Sequence, residues 1–492
     1  MNTKTQLTTR MVVVGGGGAG MAAAVTAGEL GVKNIIVLEK RGATGGTSAM
    51  ASGIFGAESP AQRRQAILAP KEEMFKRAMA WSQMKADPRI VRAFIDRSAD
   101  TIAWLEDKGV YFYCVAHSPS DNPRTWHVPK GNGAEILQAL ADAGKELGIE
   151  VIVEATAKQL LHDDDGQVTG VRFEHEGATK EVLADAVLIS SGGFAGDKRR
   201  MKKYCPGYRP EMIVGGRANA GEGIFMALEA GATPDGLGYL MTGGPLAAGL
   251  LHLGPDKLRV SLGFISGEPF AVWVNRHGRR FIDETESYNY YRCINALVRQ
   301  PGAMCYALLD TAMIQRISES GLTNVAEGYG YGTNQRSRLP AGLAEAIRKE
   351  AKKGRCLVSG DWDEITRWMG MTGEVLRRTV EEYNDHCDHG YDPVFGKDRR
   401  HLLPLRTPPY FALACYGTIL NTMGGIKVNE HMEVLNEDDA PIPGLYAAGV
   451  DTGGWTGDTY CADLPGTAFG YAINSGCIAG ESIAHYLGSR TS

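Results

Sequence analysis

The sequence has no surplus of positive charge: 52 lysines and arginines stand against 57 aspartates and glutamates, a net charge of −5. No basic field for nucleic acid is implied. It also lacks any apolar run of the ~18 residues that a membrane span needs. The polar opening, residues 1–6, leads straight into a predicted strand, so no secretory or twin-arginine signal is expected, and the protein is read as cytoplasmic. Cysteine is sparse and scattered. The nine cysteines (114, 205, 293, 305, 356, 387, 415, 461 and 477) form no C-x-x-C pair and no haem or iron–sulfur spacing. They read as reduced thiols, with no metal site and no inorganic electron-transfer centre.

Glycine, by contrast, is abundant. The 63 glycines are spread over loop-forming positions instead of a low-complexity repeat, which points to many close backbone approaches. The most informative cluster follows Val12-Val13-Val14, where residues 15–20 read G-G-G-G-A-G before a helix over 21–30 and a strand over 35–38 that ends on Glu39. Strand, G-x-G-x-x-G, helix, strand and acid in that order form a dinucleotide-binding unit. Gly15 permits the tight turn, Gly17 lets the backbone approach a pyrophosphate, and Gly20 lets helix and strand pack closely. The helix start offers free N–H groups and a positive dipole end. Glu39 is placed to accept hydrogen bonds from a ribose.

At 492 residues the chain exceeds what one core supports, so two or three domains are expected. Helical periodicity runs over 71–109 and again over 134–147, with a polar loop from His117 to Gly133 between them. Residues 159–184 alternate around D-D-D-G at 163–166, a hairpin signal. Residues 186–194 read as a buried strand ending in two glycines, another strand end meeting the cofactor. The stretch 236–400 carries a strand at 270–274 and helices at 343–353 and 372–384, but no nucleotide element. It reads as an inserted domain. Proline-rich residues 404–409 mark the return, followed by a strand pair in 425–434, a strand at 444–449 and a last helix at 468–487. The expected division is 1–235 and 401–492 for a split nucleotide-binding domain, with 236–400 as a cap. Such a boundary is where binding sites commonly lie.

Further motifs sharpen this reading. Gly45-Gly46-Thr47-Ser48, Ser191-Gly192-Gly193-Phe194, Gly221-Glu222-Gly223, Gly278 to Glu284 (G-R-R-F-I-D-E), Thr422-Met423-Gly424-Gly425 and Ile442 to Gly449 (I-P-G-L-Y-A-A-G) occur in order. With them the chain resembles, over nearly its whole length, the fumarate reductase / 3-ketosteroid dehydrogenase family of FAD flavoproteins. The resemblance implies an α/β fold, a Rossmann-like FAD-binding domain split in sequence with an inserted α+β capping domain. It implies FAD contacts from Gly15, Gly17, Gly18, Ala19, Gly20, Glu39, Lys40, Gly45, Gly46, Thr47, Ser48, Gly53, Ser191, Gly192, Gly193 and Gly449. Gly466, Thr467 and Ala468 would sit by the pyrimidine end of the flavin, where a helix start stabilises negative charge. Respiratory members attach flavin through a histidine where this chain has Thr47, so noncovalent FAD is expected. The family's acid after the last strand is replaced by Val450, which leaves Asp451 as the candidate for the ribityl contact.

Substrate chemistry turns on a few positions. Family members that reduce fumarate clamp it with arginines and a histidine; here the corresponding positions read Tyr288, Asn421 and Asp463. A dicarboxylate would lack paired charges in such a site. Ketosteroid dehydrogenases carry a tyrosine at the spacing of Tyr288, beside flavin N5, and a second in the glycine-rich C-terminal loop, for which Tyr460 is the match. A phenol polarises a ketone while a tyrosine near N5 moves a proton. The plainer alternative is that these are core aromatics, and Tyr290 and Tyr291 stand next to Tyr288. Asp463 is read as a base or a polar partner, or else a helix cap. Asn421, Gly424 and His127 complete the expected substrate wall, with His127 packing against the cofactor and His117 on the surface. Residues 241–251 form an apolar wall or cap packing. The expectation is an FAD oxidoreductase acting on a C–C bond beside a carbonyl, of ketosteroid type, on a neutral hydrophobic small molecule. Reduction of another activated alkene and an electron-transfer subunit are the alternatives.

Overall fold

The computed structural model describes residues 6–116, 123–215, 218–254, 257–325 and 338–489, so His117 lies outside the described residues. The first sheet is organised around Gln6–Val14, which runs parallel to Ile35–Leu38 on one side and to Ala178–Ile189 on the other. Glu150–Ile152 extends it past Ile35–Leu38, and Pro441–Ala447 joins beyond Ala178–Ile189. Met11, Val12 and Val13 are fully buried, as an apolar run covered on both faces should be. The helix Gly18–Glu29 lies against the last helix, Thr467–Ser489. Close contact between them depends on glycine: a Cβ at Gly476 would stand 2.2 Å from the Ala19 carbonyl oxygen.

The hairpin turn at 163–166 joins Thr156–His162 to Val168–His175. The strand expected over 186–194 ends at Ile189 and is the last part of one twelve-residue strand, Ala178–Ile189. Its first half alternates between faces in the hairpin, and its second half is buried between parallel strands. The helical stretch 71–109 splits into Lys71–Trp81 and Pro88–Asp107. Asp87 caps the second by accepting from the Arg89 amide, and Pro88 fills its first position.

A second sheet centres on Tyr410–Thr422, which pairs antiparallel with Leu240–Ala247, Met304–Leu309 and Cys356–Ser359. This corrects the expected boundary at 400/401: the chain leaves the second sheet only after Thr422. Ile213–Val214, expected in the first domain, also pairs with that strand. The expected pair within 425–434 forms only as an isolated bridge, Val428 with Val434. Gly425–Ile426 pairs with Pro234–Asp235, and Glu433–Leu435 with Pro441–Ala447. Local alternation cannot reveal partners so distant in sequence. Among the described residues, no helix is long and apolar enough to cross a membrane.

Candidate active site

A cavity of about 490 Å³ runs from the carboxyl ends of the first sheet's strands to the second sheet. Its first end is built by backbone. Gly15 sits at φ +106°, and a Cβ there would meet the Ser190 carbonyl oxygen at 2.5 Å. At Gly20 a Cβ would lie 2.0 Å from the Gly15 carbonyl oxygen. Gly17 lines the cavity with no protein atom within 4 Å of its would-be Cβ. That is a cradle for a pyrophosphate at a helix start whose N-cap, Gly17, has no side chain. Ser48 Oγ accepts from the Gly18 amide at 3.2 Å, and Glu39 Oε2 accepts from the Gly16 amide at 3.0 Å. Lys40 pairs with Glu222 at 3.0 Å, both on the cavity wall. Thr47 Oγ1 accepts from Asn219 Nδ2 at 3.1 Å.

Of the expected cofactor positions, Gly15, Gly17, Gly18, Ala19, Glu39, Lys40, Gly46, Thr47, Ser48, Gly53, Ser191, Gly192, Gly449, Gly466 and Ala468 line this cavity. Gly20, Gly45, Gly193, Thr467 and Asp451 lie behind its wall. Asp451 is a correction. Its fully buried carboxylate accepts from the Gly192 and Gly193 amides, at 3.1 and 2.5 Å, and from Ser191 Oγ at 2.9 Å. Burial raises its pKa, and those donors oppose the rise. The carboxylate holds the glycine turn after Ala178–Ile189 and leaves nothing for a ribityl chain.

The other end of the cavity is built by side chains. Tyr288, Tyr291, Asn421 and Tyr460 face it, with Met241, Leu246, Phe264, Asn289, Asn324 and Thr418. Tyr288 is carried on the short 3-10 turn Glu284–Asn289. A buried charge cluster anchors that turn: Arg280 to Glu284 at 2.7 Å, Lys397 to Glu284 at 3.0 Å, and Arg280 to Asp392 at 2.9 Å. The Tyr288 ring stands edge-on to His401, centroids 5.8 Å apart. Tyr460 is 6% exposed, packs its ring on Tyr291 at 4.6 Å, and its hydroxyl oxygen accepts from the Ala468 amide at 3.2 Å. Burial raises the Tyr460 pKa while the amides of the helix start oppose it. The phenol keeps its proton. The side chain of Tyr290 lies outside the described residues.

Three expected substrate-site residues are elsewhere. Asp463 pairs with Arg77 at 3.3 Å and does not line the cavity. Gly424 sits at φ +136° against the Gly236 carbonyl oxygen and serves a backbone crossing. His127 is fully buried: Nδ1 contacts the Thr125 carbonyl at 3.0 Å and Nε2 contacts Ser59 Oγ at 2.6 Å. Burial lowers its pKa to about 4, so the ring is neutral, with Nδ1 donating and Nε2 accepting. Its neighbour Trp126, which sequence reading missed, lines the cavity instead. Both sit on the strand Trp126–Pro129, whose successive side chains point to opposite faces. Asn219, which ties Thr47 to the Gly192 carbonyl at 2.5 Å, was also missed.

A parallel sheet ending on a glycine cradle, with a second sheet across the cavity, defines a dinucleotide-binding protein. Residues 10–460 match the FAD binding domain family, and the chain belongs to it. It is 32% identical to a vinyl phenol reductase from Lactiplantibacillus plantarum over 97% of this chain and 96% of that one. It is 28% identical to a fumarate reductase (cytochrome) from Shewanella frigidimarina, over 97% of this chain and 77% of that one. A solved 3-ketosteroid Δ1-dehydrogenase from Sterolibacterium denitrificans superposes with a TM-score of 0.78 at 18% identity, over 97% of this chain and all of that one, a likeness of fold alone. The protein is an FAD-dependent oxidoreductase acting on activated C=C bonds. The expected leaning towards steroid enzymes is corrected: the vinyl phenol reductase and the fumarate reductase match along the sequence, and the steroid enzyme shares the fold alone.

Proposed function

We propose that the chain reduces the C=C bond of a neutral, planar alkene conjugated to an oxygen-bearing ring, using noncovalently held FAD. One observation carries this reading. Among the described residues that line the cavity, the only cations are Lys40 and Arg41, both at the nucleotide end. The substrate end offers, among the described residues, tyrosines, amides and apolar walls, and no guanidinium to pair with a carboxylate. FAD held along Gly15, Gly17, Gly18 and Ser48 would, when reduced, supply a hydride to one alkene carbon. Tyr288 delivers the proton to the other, and Tyr460 donates a hydrogen bond to the oxygen that ends the conjugated system. Substrate access to the Tyr460 proton is favoured because its oxygen is already occupied by the Ala468 amide.

A phenolic alkene is favoured over a ring ketone of steroid type by the likeness along the sequence to a vinyl phenol reductase. The test is anaerobic reduction driven by reduced methyl viologen, comparing 4-vinylphenol, 4-androstene-3,17-dione and fumarate. The expected order is 4-vinylphenol fastest and fumarate slowest; a faster fumarate rate overturns the proposal, and a faster steroid rate favours the ketosteroid-type reading.

A further inference from the structure

The loop that carries Tyr460 is laid along a surface that contains no active-site residue. That surface consists of the helix Lys71–Trp81, the turn after it and the start of the helix Pro88–Asp107. Contacts recur along the loop from Gly454 to Asp463. The Gly454 carbonyl accepts from the Asp87 amide at 2.7 Å. A Cβ at Gly454 would stand 2.5 Å from Ile90 Cδ1, and one at Gly457 would stand 3.1 Å from the Ser82 carbonyl oxygen. Asp458 pairs with Lys85. The Thr459 carbonyl, one residue before Tyr460, accepts from Trp81 Nε1 at 3.2 Å. Asp463, three residues after it, pairs with Arg77 at 3.3 Å. Glycines at the contact points let the two backbones close, and polar side chains fix the register.

We propose that Trp81 and Arg77 are positioning residues that set the place of the Tyr460 hydroxyl through this brace. The inference rests on the assignment of Tyr460 as the hydrogen-bond donor to substrate. Tyr460 has contacts on its other side: its ring packs on Tyr291, and its oxygen meets the Ala468 amide at the start of the last helix. A loop held on the Tyr291 side alone leaves the ring free to pivot. The Trp81 indole and the Arg77–Asp463 pair remove that freedom. Asp463 thus acts on the site through Arg77 and not as a base. The pair is partly exposed, with side chains 40% and 25% accessible, so its value lies in direction more than in strength.

The test uses the FAD-loaded full chain with 3-fluorotyrosine at position 460, read by fluorine NMR, alongside kcat on whichever alkene it reduces fastest. In the parent background one narrow resonance is expected. Trp81→Phe, which removes only the indole donor, should shift or split it and lower kcat roughly tenfold with KM changed less than about twofold. Arg77→Leu should do the same more weakly, and it serves if Trp81→Phe fails to fold. In a Tyr460→Phe background, neither change should lower kcat further. An unmoved resonance in both variants, or full additivity with Tyr460→Phe, overturns the brace. If Tyr460→Phe itself leaves kcat unchanged, the role of Tyr460 falls, while the resonance still decides whether the brace exists.

Discussion

At the nucleotide end of the cavity, the groups that matter are the backbones of Gly15, Gly17 and Gly18, with Ser48 and Glu39 orienting amides. At the cap end they are the side chains of Tyr288, Tyr291, Asn421 and Tyr460, drawn from three separate stretches of chain. Backbone recognition constrains the sequence tightly, because a Cβ at Gly15 or Gly20 collides with carbonyl oxygens. Side-chain recognition constrains it loosely, because many residues project into the same space. One end therefore serves a fixed cofactor, while the other is free to vary with the substrate.

The largest effects should come from the backbone end. Gly20→Val places carbon on the Gly15 carbonyl and should prevent recovery of folded protein. Gly17→Val has room in the protein fold but enters the phosphate cradle. It should yield a folded apoprotein with FAD affinity reduced on the order of 100-fold, about 2.7 kcal/mol. Thermal melts paired with FAD titration separate the two, and loss of folding in both would break the distinction. At the cap end, Tyr460→Phe should leave FAD content intact and lower kcat roughly 10²- to 10³-fold.

The two regions also titrate in opposite senses. His127, in the nucleotide-binding half, has its pKa lowered by burial to about 4. Between about 6.5 and 4 the unfolded chain binds the proton that the fold refuses, so stability falls as pH drops, by ~3 kcal/mol in full. Glu268, in the cap, is fully buried and accepts from the Thr323 amide at 2.8 Å and from Thr323 Oγ1 at 2.7 Å. Burial raises its pKa to about 7. Here the fold holds a proton that the unfolded chain releases, so stability is full below about 4.5 and falls as pH rises to about 7, again by ~3 kcal/mol. Glu268→Gln should abolish the loss on the alkaline side and leave the acid limb unchanged in urea unfolding at pH 4, 5.5 and 8. The smallest effect is expected for Lys40→Met. Its pair with Glu222 is about a quarter exposed, and FAD affinity should fall only a few-fold.

Legibility in the sequence follows the same division. The cradle was readable because strand, glycine turn, helix and acid are contiguous and each glycine has a steric reason. The cap end was readable only in part. Tyr288, Tyr460 and Asn421 do line one cavity, but Asp463 and His127, expected there from family motifs, do not. For His127 the reason is strand parity, since its neighbour Trp126 takes the cavity side. For Asp463 it is a partner, Arg77, that lies 386 positions away in the chain. The domain boundary failed similarly: Tyr410–Thr422 follows the proline-rich return but pairs with four strands from earlier segments.

The central claim, a backbone-built FAD cradle joined to an uncharged substrate end, is tested most directly by reoxidation of the reduced holoenzyme in anaerobic stopped flow. With 4-vinylphenol and fumarate at equal concentration, the flavin absorbance should return with 4-vinylphenol at least roughly 100-fold faster, a difference of about 2.7 kcal/mol in the barrier. Faster reoxidation by fumarate would contradict it.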